Sequence, residues 1–113
     1  MRVSGQRWRY RAGNSLVFVD NAYNLLLLWA QERLVVNDET VQEAGGYLKF
    51  RQSFDEPWLT PIGDELLRVR LISGAAAIRC SVQLGDVELE PEAMLEAEWR
   101  GQARSWPDES EWR

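Results

Sequence analysis

Two pairs of adjacent acidic residues, Asp55-Glu56 and Asp64-Glu65, are the side chains best suited to acid–base chemistry. A glycoside hydrolase or a calcium site would need one carboxylate from each pair close together. Neighbouring residues of a strand point to opposite faces, so neither pair forms a catalytic dyad by itself. The spacing also matches no calcium-binding loop. We expect these residues to lie in solvated loops, and a carboxylate-dependent hydrolase is kept only as an alternative.

The other residue types argue against catalysis. The chain has no histidine, which removes the commonest general base and metal ligand. The single cysteine, Cys80, falls on the apolar side of a predicted strand, as is typical of an inert core thiol. The glycines form no phosphate-binding motif. We therefore predict a protein that is not an enzyme, with no catalytic residues, no metal site and no cofactor.

Aromatic side chains are concentrated in two segments where a partner could bind, because large aromatic residues are enriched at interfaces. The first is a proline-containing loop and the second is an acidic tail. The candidate binding residues are Phe54, Trp58 and Leu59 in the loop, and Trp99, Trp106 and Trp112 in the tail. The loop is either a lid over the core or a contact site. The tail tryptophans either dock on the protein's own sheet or bind a partner.

The charge distribution bears on the class of partner. A net charge of −5 does not favour nucleic acid. The beginning of the chain is nevertheless basic, and the end is mainly acidic. The basic residues at the beginning of the chain are Arg2, Arg7, Arg9 and Arg11. The two ends are expected to attract each other or to be solvated, and a basic arm that binds RNA or a phosphate ligand is the alternative.

No segment of the sequence is typical of a secretory signal or a membrane span. The N-terminal residues are polar and rich in arginine, and the most apolar run, Leu25–Ala30, is too short to cross a bilayer. One cysteine cannot form an intrachain disulfide, which is compatible with a reducing compartment. We expect a cytoplasmic protein that has no membrane partner.

Alternating apolar and polar residues predict β-strands along most of the chain. Residues 65–90 are predicted to form a three-stranded antiparallel meander, with a tight turn at Gly85-Asp86. Two earlier hairpins are predicted to turn at Asp20-Asn21 and at Asn37-Asp38. Residues 24–33 are predicted as a strand, although their leucines and alanine would also suit a helix.

About eight short strands, spaced by roughly 8–12 residues, predict an all-β antiparallel sandwich or a small barrel. Residues 51–63 are predicted to be the longest irregular connection, because Pro57 and Pro61 block regular pairing. Residues 91–100 are predicted as a short helix that begins near a proline and ends before a glycine. The expected division is a β-sandwich over residues 1–90 and an acidic, Trp-containing helix or tail over 91–113.

Two segments resemble a known family. Leu34–Val41 is similar to a strand–turn–strand of the β-sandwich domains of the Fas apoptotic inhibitory molecule type, and Val69–Leu89 is similar to another part of that pattern. The resemblance covers about half of the chain. It implies a compact, non-enzymatic antiparallel sandwich that acts through protein contacts. The chain differs where the family has an Asp-Gly turn, since it has Asn37-Asp38 there, and no functional residues are carried over.

These observations lead to two hypotheses from different classes. The first is a non-catalytic domain that binds another protein or its own copy through the aromatic loop or the Trp-bearing tail. The second is a small-ligand-binding barrel in which the 54–62 loop is a lid. The missing catalytic residue types, the aromatic loop at 54–62 and the Trp-bearing tail make the first the leading hypothesis.

Overall fold

The computed structural model describes residues 2–24, 29–47, 57–73, 78–102 and 105–113. These residues form nine strands and one short 3-10 turn at Glu109–Glu111. The strands are β1 (Arg2–Ala12), β2 (Ser15–Asn24), β3 (Trp29–Val36), β4 (Glu39–Tyr47), β5 (Trp58–Ile62), β6 (Glu65–Ser73), β7 (Ile78–Leu84), β8 (Val87–Leu89) and β9 (Ala93–Arg100). Within these ranges there is no helix of the length and apolarity that crossing a bilayer requires.

The strands form two antiparallel sheets. The five-stranded sheet has the order β4-β3-β2-β1-β9, and the four-stranded sheet has the order β5-β6-β7-β8. The predicted all-β sandwich is therefore confirmed. The alternative of a small barrel is wrong, because no strand pairing among the described residues joins the two sheets.

The space between the sheets holds the main core. Trp8 and Tyr10 of β1 lie on the same face, as predicted, and are 4% and 1% exposed. Both sheets contribute the other buried residues of this cluster, which are Ala12, Val17, Val19, Leu34, Leu67, Val69, Leu71 and Val82. Cys80 is partly buried and packs against them, so the prediction of a core thiol agrees with its position.

Two of the predicted hairpin units are present. Strands β6, β7 and β8 form the meander predicted over residues 65–90. Strands β3 and β4 turn at Asn37-Asp38, where both residues have positive φ, 48° and 67°. Asn and Asp tolerate this left-handed region better than other side chains. The Asn37 side chain also accepts a hydrogen bond from the Leu16 amide at 2.9 Å, which attaches the turn to β2.

The turn predicted at Asp20-Asn21 is wrong. Both residues lie inside β2 and are buried, and the preceding turn is at Gly13-Asn14, where Gly13 has φ 62°. Asp20 is held in the sheet because arginines on both neighbouring strands bind its carboxylate. Those ion pairs are tertiary interactions that outweigh the local turn preference of the Asp-Asn pair.

The segment 24–33 is a strand where it is described, since β3 begins at Trp29; residues 25–28 lie outside the described part of the chain. The connection predicted over 51–63 is wrong at its end, because Trp58–Ile62 forms strand β5. This strand lies at the edge of its sheet, where Pro61 is tolerated because one side of an edge strand needs no partner. Residues 51–56, including Phe54, lie outside the described part.

The short helix predicted over 91–100 is also wrong. Residues Ala93–Arg100 form strand β9, which pairs antiparallel with β1 so that Val3 lies opposite Trp99. The segment alternates, with Leu95, Ala97 and Trp99 turned toward one face and the glutamates between them turned away. Pairing with β9 satisfies the backbone groups of β1 that face away from β2. Part of the predicted tail is thus the fifth strand of the larger sheet.

Candidate interaction surfaces

A second apolar cluster lies on the outer face of the five-stranded sheet. Its buried members are Val3, Ala22, Trp29, Ala97, Trp99 and Trp112. Residues 105–113, which we call the cap, fold back over this face after β9. The cap contributes Trp112 to the cluster, and Trp106 packs against it. The tail tryptophans therefore dock on the protein's own sheet, which is one of the two alternatives given for them.

The three tail tryptophans meet around Trp99. Its ring centroid is 6.2 Å from that of Trp106 and 6.0 Å from that of Trp112, and the second pair meets edge to face at 62°. Such aromatic pairs contribute about 0.5–1.5 kcal/mol beyond the area they bury. Trp99 and Trp112 are each only 8% exposed. Neither is accessible to a partner while the cap is docked.

Small residues on three adjacent strands leave room for these indoles. Gly5 of β1 lies opposite Ala22 of β2 and Ala97 of β9. A Cβ atom on Gly5 would lie 2.8 Å from Trp99 and 3.2 Å from Trp112, closer than packed atoms tolerate. A glycine inside a strand often marks such a close approach. The cap can therefore seat on the sheet only because this position has no side chain.

A buried ionic network lies beside the tryptophans. Arg7 is 2% exposed and Asp20 is fully buried. Two nitrogens of Arg7 donate to the two carboxylate oxygens of Asp20 at 2.7 and 3.0 Å. Arg33 Nε donates to Asp20 Oδ2 at 2.7 Å, and Arg7 also binds Glu109 of the cap. Burial alone would lower the pKa of Arg7, but Asp20 and Glu109 outweigh it and raise that pKa.

The cap makes aromatic contacts with both arginines. The Arg7 guanidinium lies 4.0 Å from the ring centroid of Phe18 and 4.7 Å from that of Trp112. Arg33 lies 4.4 Å from the ring centroid of Trp106, whose Nε1 donates to Glu43 at 2.8 Å. Cation–π contacts of this kind contribute about 0.5–2 kcal/mol each. The two contacts made by cap residues join the cap to β1 and β3, and the hydrogen bond to Glu43 joins it to β4.

The end of the cap is anchored to the edge of the sheet. The Glu96 amide donates to the Arg113 carbonyl at 2.8 Å, and the Arg113 amide donates to the Glu96 carbonyl at 2.9 Å. At the other end, Gln31 Nε2 donates to the Ser105 carbonyl at 2.7 Å. The cap therefore begins beside β3 and runs across the sheet to β9.

The basic beginning of the chain is neutralised by its acidic end. Arg2 binds Glu98 at 3.0 Å, and Glu92 binds Arg11 at 3.2 Å and Arg9 at 3.7 Å. The fourth arginine of this segment, Arg7, is buried and binds Glu109 of the cap. The predicted attraction between the two ends is thus confirmed, and these arginines do not form a free basic arm.

The outer face of the four-stranded sheet differs from the capped face. We call it the open face and define it by Leu59, Leu66, Arg68, Arg70 and Arg79. The two leucines are 45% and 44% exposed, and the three arginines are exposed as well. Leu59 lies opposite Arg68 in the strand register, so apolar and basic side chains are neighbours. Strand alternation turns these residues away from the core.

The arginines of the open face stand apart from the ion pairs formed by the other described residues. No carboxylate among the described residues forms an ion pair with them. Glu88 lies near them on β8, but its carboxylate accepts hydrogen bonds from Ser81 at 3.0 Å and Gln83 at 3.4 Å. The three guanidinium groups can therefore bind carboxylates of another molecule in the paired geometry that arginine favours.

The predicted loop residues divide between core and surface. Trp58 is half-buried and packs against the main core, whereas Leu59 belongs to the open face. Phe54, Asp55 and Glu56 lie outside the described residues. Asp64 and Glu65 are exposed, the former in the turn between β5 and β6. Of the two predicted loop-site residues that the structure describes, Leu59 lies on an outer surface and Trp58 packs against the core.

The single cysteine, Cys80, packs against the core and does not form a reactive site. Burial raises the pKa of the Cys80 thiol to about 12, against a smaller lowering by the Tyr10 hydroxyl. The thiol is therefore neutral and unreactive at physiological pH.

No group of three or more potential metal ligands occurs among the described residues. A cleft of about 580 Å³ is lined in part by Ser4, Gln6 and Tyr23.

Comparison of the chain with protein-family models, with curated proteins and with solved structures finds no match. The geometry of the two outer faces is therefore the basis for a functional proposal. Sequence reasoning missed Arg68, Arg70 and Arg79 as candidates. The signal was present, because the alternation over residues 65–72 already placed the first two on the polar side of a strand.

Proposed function

We propose that this protein is a non-catalytic interaction module that binds an acidic surface of a partner protein through its open face. The observation that carries the proposal is the set of three exposed arginines, without partners among the described residues, beside two exposed leucines. Arginine is enriched in protein interfaces because it binds carboxylates and also packs on apolar groups.

The composition of the open face favours a protein partner over nucleic acid. The overall charge of −5 opposes the long-range attraction that nucleic-acid binding needs. The N-terminal arginines are used in ion pairs within the chain. Exposed Leu59 and Leu66 suit an apolar contact with a protein better than contact with phosphates.

The proposal is preferred to a small-ligand carrier because side chains fill the space between the sheets. Tyr10, Val69 and Val82 meet there and are almost fully buried. The resemblance to domains of the Fas apoptotic inhibitory molecule type supports the same class of function, since that family acts through protein contacts. A single cysteine without a disulfide partner is compatible with a reducing compartment, and we propose a cytoplasmic location.

The test compares the wild-type chain with the triple variant Arg68→Glu/Arg70→Glu/Arg79→Glu as affinity baits in an extract of source cells. A protein recovered by the wild type would be identified and purified, and its affinity measured by calorimetry. We expect the triple variant to bind at least about tenfold more weakly, because like charges would face each other.

Arg100→Glu is the matched control, since it reverses an exposed charge at the end of β9, away from the open face. It should leave the affinity unchanged. Equal affinities of the wild type and the triple variant for the purified partner would contradict the proposed function.

A further inference from the structure

The two outer faces of the sandwich carry opposite charges. The cap exposes three acids, Asp108, Glu109 and Glu111, and one arginine, Arg113. The open face exposes its three arginines and has one exposed glutamate, Glu88, beside them. The sheets pack with their inner faces together, so their outer faces point in opposite directions. Glu109 remains 68% exposed although it binds Arg7, and a carboxylate can accept several hydrogen bonds at once.

We infer that the open face binds the cap of a second copy of this chain, so that copies stack head to tail. The inference rests on the proposed function, because it names one acidic surface that the open face would recognise. Two open faces would repel each other through their arginines, which excludes a symmetric back-to-back dimer through that face. The acidic cap supplies the complementary charge.

The geometry determines the form of this association. An open face that meets a cap is a heterologous contact, and each added copy leaves one open face and one cap free. The stack therefore grows without closing. Four strands about 4.8 Å apart and about 20 Å long give an open face of roughly 400 Å². Stable interfaces bury about 800 Å² per partner, so the contact is weak and sensitive to salt.

Sedimentation velocity of the full chain over a range of concentrations provides the first test. At an ionic strength of about 0.01 M, where charges act over about 30 Å, we expect the mean sedimentation coefficient to rise with concentration and not to stop at a dimer. At about 1 M, where the range is about 3 Å, the chain should be a monomer.

Charge-reversed variants provide the second test. The face variant is Arg68→Glu/Arg70→Glu/Arg79→Glu, and the cap variant is Asp108→Lys/Glu111→Lys, which leaves Glu109 on Arg7. Each should be monomeric alone at low salt, because its two outer faces have the same sign. A mixture of the two should associate in a 1:1 ratio, since every contact again joins opposite charges. The circular dichroism and Tm of each variant report whether it is folded.

Stacking would be overturned if the wild-type chain were monomeric at low salt at every concentration. It would also be overturned if the face variant, without its three arginines, still associated with itself. A monomeric wild type that still binds an acidic partner through the open face would leave the proposed function in place. If both variants are folded but their mixture does not associate, the head-to-tail contact is also excluded.

Discussion

At the scale of single residues, the buried carboxylate of Asp20 organises the capped face. Its two oxygens bind Arg7 and Arg33, which in turn hold the aromatic rings of the cap. A buried ion pair is weak evidence for stability when compared with an apolar replacement. Removing one partner is different, because it leaves a charge buried without compensation.

We therefore expect Asp20→Asn to lower the free energy of unfolding by about 3 kcal/mol or more, because Arg7 is 2% exposed and loses its main counterion. Urea unfolding followed by circular dichroism measures the change. Glu98→Gln is the control, since it removes the exposed partner of Arg2 and should cost less than about 1 kcal/mol. Equal effects of the two substitutions would show that the Asp20 network is not structural.

Cys80 gives a prediction about pH. Its ordinary pKa of 9.0 is raised by burial to about 12, so the folded state favours the neutral thiol. This contribution to stability is complete below pH 9 and is lost as the pH rises from 9 toward 12, because the unfolded chain releases the proton first. The raised pKa of Tyr10 acts in the same direction at higher pH.

The measurement compares the wild type with Cys80→Ala. The free energy of unfolding of the wild type should fall more steeply between pH 9 and pH 10 than that of the variant. Native Cys80 should also react with a thiol reagent at pH 8 far more slowly than the unfolded chain. Parallel pH profiles would contradict the raised pKa.

At the scale of elements, Trp112 is the more deeply buried of the two tryptophans in the cap. Trp112 is 8% exposed, lies over Arg7 and meets Trp99, whereas Trp106 is only half-buried. We expect Trp112→Ala to destabilise the protein by about 3–5 kcal/mol, because it removes a large buried side chain. Trp106→Ala should cost less.

Chemical unfolding followed by circular dichroism distinguishes these variants, since it does not depend on the fluorescence of the removed indole. The comparison is matched, because both substitutions remove a tryptophan from the same cap. A loss below about 1 kcal/mol for Trp112→Ala would mean that the cap contributes little to the stability of the sheet.

Local alternation predicted the strands that pair with their neighbours in sequence. The meander over residues 65–90 and the turn at Asn37-Asp38 needed only short-range information. Strand β9 was missed because Ala, Met, Leu and Glu favour a helix in isolation, and its pairing partner β1 is at the other end of the chain. The turn predicted at Asp20 failed for the same reason, since arginines on β1 and β3 decide its conformation.

The candidate site was predictable only in part. Tryptophans in a polar tail indicated a contact surface, but their spacing could not show whether the partner was the chain's own sheet. That outcome depends on Gly5, whose missing side chain admits two indoles. The open face required knowing that β6 and β7 are adjacent, which brings Arg79 beside the arginines of β6.

At the scale of the whole molecule, the edges of both sheets are modified in ways that oppose pairing with another chain. Strand β5 carries Pro61, and β8 has three residues. The β3–β4 pairing has a register shift at Leu34/Val35, and Arg113 occupies backbone groups of β9 at Glu96. Association through faces is therefore favoured over association through edges, as both proposals require.

The pairing of β1 with β9 has a consequence for how the protein is made. Almost the whole described chain separates the two strands, from Arg2 opposite Arg100 to Arg9 opposite Ala93. On the ribosome, β1 to β4 emerge early and can pair in order, while one edge of β1 and the small-residue surface around Gly5 remain uncovered until β9 and the cap have been translated. Closing such a distant contact is a slow step. The nascent chain therefore carries an exposed strand edge and an uncovered apolar surface until β9 and the cap have been translated, and such surfaces make a folding intermediate prone to aggregation.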